Sequence, residues 1–169
     1  AVRQEMEAVA AYFDKPVLRE VDESAFYADI AGVREKLGDR AVLRAIHFFA
    51  DSRRAGALCS AIREDRFEDF LELIVAGGHS SFEYNQNAYS AKNPREQGVS
   101  LGLAHSQHIL EGYGAWRLQG GGFAGTIQAF VPVHLLEAYR AAMDSVFGEG
   151  SCYVLNVRNY GALCVTEAL

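Results

Sequence analysis

Two short runs, Tyr113-Gly114-Ala115-Trp116-Arg117-Leu118 and Thr126-Ile127-Gln128-Ala129-Phe130-Val131, flank Gln119 and the segment Gly120-Gly121-Gly122-Phe123-Ala124-Gly125. Their reading decides the fold. After Gly112 the hydrophobic period changes from helical to extended, and both runs read as β-strands. Pro132 closes the second and opens a helix with faces Leu135, Tyr139, Ala142, Val146 and Leu136, Met143, Phe147. Two more strands are expected at 152–157 and 161–166, joined by Arg158-Asn159-Tyr160. Strand, strand, helix, strand, strand after a helical first half predicts an α+β fold, with a roughly four-stranded antiparallel sheet backed by helices.

Upstream the helical period dominates. Met6, Val9, Ala10 and Phe13 mark a first amphipathic helix that Pro16 stops, and 16–21 reads as extended. Leu43, Ile46, His47, Ala50, Arg54, Ala57, Leu58 and Ala61 trace a stripe along a long helix. Asp65 and Glu68 have the spacing of a capping box ahead of Phe67, Phe70, Leu71 and Ile74, and Gly77-Gly78 predicts the stop. Leu101 to Leu110 is a further helix ended by Gly112. Eleven of the sixteen glycines lie at Gly98 or later, which places turns and strands in the second half.

The chain of 169 residues reads as one domain over 1–169, long enough to bury a core without disulfides or metals. An 11% aromatic content excludes intrinsic disorder, and no apolar run is long enough to span a membrane. Sixteen basic against twenty-two acidic side chains give a net charge of -6, and Arg53-Arg54 is the one adjacent basic pair. Nucleic acid and membrane surfaces are therefore not expected partners. Cys59, Cys152 and Cys164 are odd in number, widely spaced and flanked by small or apolar residues, so they read as buried free thiols. With Arg3, Glu5 and Glu7 in the first ten residues in place of an apolar leader core, a cytoplasmic location is expected.

Each polar constellation has a functional and a plain reading. The run Gly120 to Gly125 matches G-x-G-x-x-G, but a strand follows where a dinucleotide site needs a helix, Asp144 falls on the later helix, and no Lys follows for a nucleotide-binding loop. Hairpin glycines at positive φ are the plain reading; three glycines in a row favour close approach of another backbone or a ligand. His105, His108 and Glu111 step by three along a helix, which turns the third about 120° off the first counting two steps of 3.6-residue geometry, so no metal is expected there. Gly78-His79-Ser80-Ser81 invites a nucleophile reading, but the sequence lacks a nucleophile elbow and capping of the helix end is preferred. Arg44, His47, Asp51 and Arg54 read as a solvated face or an inter-helix ion network.

Together these segments resemble a known family. Arg117-Leu118-Gln119 followed by Gly120-Gly121-Gly122-Phe123-Ala124-Gly125 and a strand is similar to the C-terminal glycine-rich motif of the galactokinase branch of the GHMP kinases, usually Arg-Met-Thr-Gly-Gly-Gly-Phe-Gly-Gly. Val17-Leu18-Arg19-Glu20-Val21 looks like the family's Leu-Arg-Glu-Val, and Arg44-Ala45-Ile46-His47 with Arg53-Arg54 looks like its Arg-Ala-x-His helix. His79-Ser80-Ser81 resembles its His-x-Ser helix end, and Asn159-Tyr160-Gly161-Ala162 its terminal turn. Ala124 replaces a glycine and Leu118-Gln119 replaces Met-Thr, which bears on the identity of the sugar.

The resemblance implies a ferredoxin-like C-terminal domain of an ATP-dependent sugar 1-kinase, forming one wall of the active-site cleft. It implies a glycine loop, Gly120 to Gly125, near nucleotide and substrate, supported by Arg117 and Gln119, with no catalytic residue in this chain. Phosphoryl transfer rests on positioning and on charge neutralisation around Mg²⁺ and the phosphates. The family's phosphate loop, sugar-binding motif and Asp base lie in an N-terminal domain that has no match here. The chain alone is therefore expected to be inactive and to bind no cofactor, with ATP and Mg²⁺ held by the full-length kinase. Its expected partners are the N-terminal kinase domain and, through the exposed interface near Phe123, a second copy of itself. The rival reading is a stand-alone non-catalytic module that binds a ligand or protein.

Overall fold

In the computed structural model the described residues are 2–120 and 125–157. Seven α-helices and one β-hairpin organise them. Helices α1 (Val2–Tyr12), α2 (Glu23–Ala28), α3 (Ile30–Leu37), α4 (Asp39–Arg63) and α5 (Phe67–Ser80) precede a π-helical turn, Ser81–Asn85. Helix α6 (Gly98–Leu110) leads into strands β1 (Ala115–Leu118) and β2 (Ile127–Phe130), and α7 (Leu136–Phe147) follows a short 3-10 turn, Val133–Leu135. No helix among the described residues is long and apolar enough to cross a membrane.

The helices follow the apolar stripes. Val9 and Ala10 of α1, Phe26 of α2, Val33 of α3 and Val42, Ala45 and Phe49 of α4 form one buried cluster, joined by Leu18 and Val21. Each large side chain buried there contributes about 1.5–3 kcal/mol. The segment read as extended holds a 3-10 turn, Leu18–Glu20, between extended Val17 and Val21. Helices α2 and α3 have no counterpart in the sequence reading; Asp22 starts α2 by accepting a hydrogen bond from the Ala25 amide at 2.8 Å.

A second cluster gathers Leu103 and Leu110 of α6, Trp116 and Leu118 of β1, and Tyr139 and Met143 of α7. Inside it Ser106 Oγ donates to Gly102 O at 2.8 Å, so the Tyr139 hydroxyl, 2.8 Å away, is the donor to Ser106. Tyr139→Phe removes one buried hydrogen bond and leaves Ser106 satisfied. The expected loss is about 1 kcal/mol, read as a shift of the urea midpoint with unchanged slope; an unshifted midpoint would remove the bond from the fold's stabilising contacts.

β1 and β2 pair antiparallel with Trp116 opposite Ala129 and Arg117 opposite Gln128. Helices α5 and α6 pack on β1, and α6 also on β2. The fold is α+β as expected, but the sheet has two strands among the described residues. Residues 151–157, expected to include a third strand, form no regular element, and the fourth, 161–166, lies outside the described residues.

Three local expectations are corrected. Asp65 adopts φ 52°, and Arg66, without a side-chain capping bond, stands at the start of α5, so the Asp65/Glu68 capping box does not form. Gly77-Gly78 do not stop α5; the helix runs on to Ser80 and the π turn, and ends at left-handed Gln86. Cys59 is exposed, lying on α4 beyond Phe49, the last α4 residue of the first cluster, and Cys152 is half-buried against the second cluster, both free; Cys164 lies outside the described residues.

Candidate functional site

The polar residues singled out by sequence meet where α4 packs on α5 and the π turn, beside the strand β1 that packs on α5. Arg44 is 2% exposed. Its Nε donates to the Asn85 carbonyl at 3.0 Å and its Nη1 to Glu5 Oε2 at 2.6 Å, while Arg40 Nη2 reaches Glu5 Oε1 at 2.5 Å. Desolvation pushes the Glu5 carboxyl up, but the two guanidinium groups outweigh it and hold its pKa below the ordinary value. One turn further along α4, buried His47 places Nδ1 2.9 Å from Ser80 Oγ. Burial, assisted by the charges of Arg54 and Arg117 and opposed by Asp51, lowers the His47 pKa from 6.5, so the ring is neutral at pH 7. Arg54 Nη1 bonds Asp51 Oδ1 at 2.5 Å.

Arg44 with Glu5 forms the inter-helix ion pair, between α4 and α1, and Asp51 with Arg54 pairs within α4, so the edge is an ion network and not a solvated face. It also explains the paired glycines. A Cβ on Gly78 would lie 3.1 Å from the Trp116 carbonyl oxygen and 3.2 Å from Arg117 Cα; one on Gly77 would lie 3.3 Å from Arg117 Nη1 and from Arg54 Cδ. Both glycines are buried in the helix: the backbone of β1 crowds the Cβ position at Gly78, and the side chains of Arg117 and Arg54 crowd it at Gly77. The capping reading of residues 77–81 is therefore replaced by close approach, and Ser80 serves His47 in place of the helix end.

Arg117 is half-buried on β1, with Nε donating to the Leu118 carbonyl at 3.3 Å. Gln119, exposed, closes the hairpin through its amide to the Thr126 carbonyl at 3.2 Å. Gly120 at φ 67° and Gly125 at φ 82° have open space where a Cβ would stand, so backbone conformation selects glycine there. Gly121, Gly122, Phe123 and Ala124 lie outside the described residues, and with them the expected apolar interface around Phe123. Strand β2 follows the run, so no helix N-terminus stands there to receive a pyrophosphate.

The remaining candidates do not join the cluster. His105 is half-buried with Nε2 lacking a hydrogen-bond partner among the described residues, and His108 is exposed on the next turn. Among the described residues no three His, Cys, Asp or Glu side chains are grouped to hold a metal ion. The 33-residue separation of His47 and Ser80 hid their pairing from sequence reasoning. A histidine on an apolar helical stripe was the one available signal. No family model matches the chain.

Proposed function

We propose that this chain is the C-terminal domain of a galactokinase-like, ATP-dependent sugar 1-kinase, in which it forms one wall of the active-site cleft and is inactive alone. The observation that carries the reading is the convergence of separate motifs on α4. His47 of the Arg44 to His47 segment bonds Ser80 of the His79 to Ser81 segment, and the glycines beside it seat Arg117 of the glycine-loop segment. The Leu18 to Val21 segment joins the same helix, with the Arg19 guanidinium 5.8 Å from the centre of the Phe48 ring. Four segments that resemble one family's landmarks thus support one another physically.

In this reading the hairpin loop Gly120 to Gly125 faces nucleotide and sugar, and half-buried Arg117 is the charge that fixes where the loop leaves the sheet. Gln119, exposed at the loop's start, bears on the choice of sugar. In this reading Mg²⁺ and the phosphates are held by the N-terminal kinase domain, as the resemblance implies. The reading also extends the sheet to four antiparallel strands in a ferredoxin-like arrangement. Tyr153, Leu155 and Val157, 82%, 85% and 91% exposed, are apolar side chains for which that extension would provide cover.

The test is coupled ADP release with galactose, galacturonate and N-acetylgalactosamine, using the chain alone and mixed with a separately expressed N-terminal half. No turnover alone, turnover in the mixture and its loss in Gly125→Val are expected. Turnover by the chain alone, or a mixed complex that forms and stays inactive toward every sugar, would overturn the reading.

A further inference from the structure

Between the π turn and α6 the surface opens into a groove of about 240 Å³, floored by Trp116. Among the described residues its lining includes neither Gly120 nor Gly125, and its chemistry differs from a phosphate site. The wall on α6 is Leu103, buried, and the opposite wall is Phe82, a residue 42% exposed whose ring centre lies 6.4 Å from that of Tyr89. Glu83 lines the rim with no ion pair among the described residues, His79 is the other titratable lining group, and neither Lys nor Arg lines the groove. Ser100, also lining it, keeps its hydroxyl oxygen buried without a hydrogen-bond partner among the described residues. Buried hydroxyls in folded proteins are nearly always paired.

We propose that this groove binds a small ring-bearing organic cation, with its ring against Phe82, Leu103 and Trp116 and its ammonium group at Glu83. Aromatic faces and a carboxylate both attract a cation, and both oppose phosphate or carboxylate ligands. The volume lies below the roughly 300 Å³ at which sites for drug-sized molecules begin, so the ligand is fragment-sized. A polar substituent on its ring supplies the partner that Ser100 lacks, reached by rotation of the serine about χ1. The proposal stands whether or not the chain belongs to a kinase.

Trp116 is the one tryptophan of the chain, so its emission reports occupancy directly. Phenethylammonium chloride is the probe, and phenylacetate is the charge-reversed control. A saturable change with a Kd of about 1 mM or below is expected for the cation, the range open to so small a ligand. Phenylacetate should bind at least about tenfold more weakly. Glu83→Gln, at an exposed position, should raise the cation's Kd about three- to fivefold, as loss of a solvent-facing ion pair does. Ala104→Phe, which fills the groove from an exposed helical position, should abolish the change while circular dichroism stays that of the parent chain. Absence of saturation, equal binding of phenylacetate, or an unchanged Kd in Glu83→Gln would each overturn the proposal.

Discussion

Glu5→Gln is expected to lower the melting temperature by about 5–10 °C. Arg44 is almost fully buried, and Glu5 is the carboxylate that neutralises it. Breaking a buried ion pair from one side costs about 3–5 kcal/mol, because the remaining charge keeps its desolvation penalty without a partner. The Glu5 side chain is 23% exposed, so water already screens part of the attraction and about 2–3 kcal/mol is the appropriate figure. For a chain of this size each kcal/mol moves the midpoint by about 2–4 °C.

The double variant Glu5→Gln with Arg44→Met removes the stranded charge and should recover part of the loss. It leaves the Asn85 carbonyl without its buried donor, so recovery stays incomplete. A melting temperature unchanged in Glu5→Gln, or a double variant less stable than either single one, would contradict the role given to Arg44. The pH dependence has a definite sign. Because the folded pKa of Glu5 lies below 4.5, its contribution is fully present above that value and is lost as pH falls through the folded pKa. The parent chain should therefore lose stability relative to Glu5→Gln only below about pH 4.5.

Gly78→Val is expected to cost about 2–3 kcal/mol in urea unfolding. Any side chain at this position meets backbone: the Trp116 carbonyl and Arg117 Cα have no rotamer by which to move aside. Overpacking costs about 1–3 kcal/mol, and valine adds branched bulk beyond the Cβ already in tight contact. Gly78→Ala sets a gain of about 1 kcal/mol in helix propensity against that single tight contact, and should stay within about 1 kcal/mol of the parent. Gly56, in α4, provides the contrast, because a Cβ there would have nothing within 4 Å. Gly56→Ala should gain up to about 1 kcal/mol. If Gly78→Val proved as stable as Gly56→Ala, the close passage of β1 over α5 would not be the reason for glycine.

The elements legible in the sequence were those with a sustained period. Met6, Val9 and Ala10 announced α1, the Leu43 to Ala61 stripe announced α4, and the change of period at Gly112 announced the hairpin of β1 and β2. Helices α2 and α3 escaped because six and eight residues hold too few turns to establish a period. Gly77-Gly78 misled because glycine serves two opposite needs, freedom at a helix end and absence of bulk at a crossing, and only the neighbouring strand distinguishes them. The same holds for the cluster on α4. Arg44, His47 and Arg54 were visible as a polar edge, but their burial depends on Glu5, Asn85 and Ser80, which the fold brings from distant parts of the chain.

The π turn at Ser81–Asn85 makes the fold sensitive to chain length at that point. Its hydrogen bond from the Gln86 amide to the Ser81 carbonyl, 2.9 Å, spans five residues where an α-helix spans four. Each residue advances a helix by about 100°. Removing one residue between Ser80 and Asn85 would swing the Asn85 carbonyl away from Arg44 Nε while leaving His47 and Ser80 in register. Phe82, Glu83 and Tyr84, all exposed, can change identity without disturbing that alignment. The turn therefore works as a spacer whose count matters more to the core than its composition.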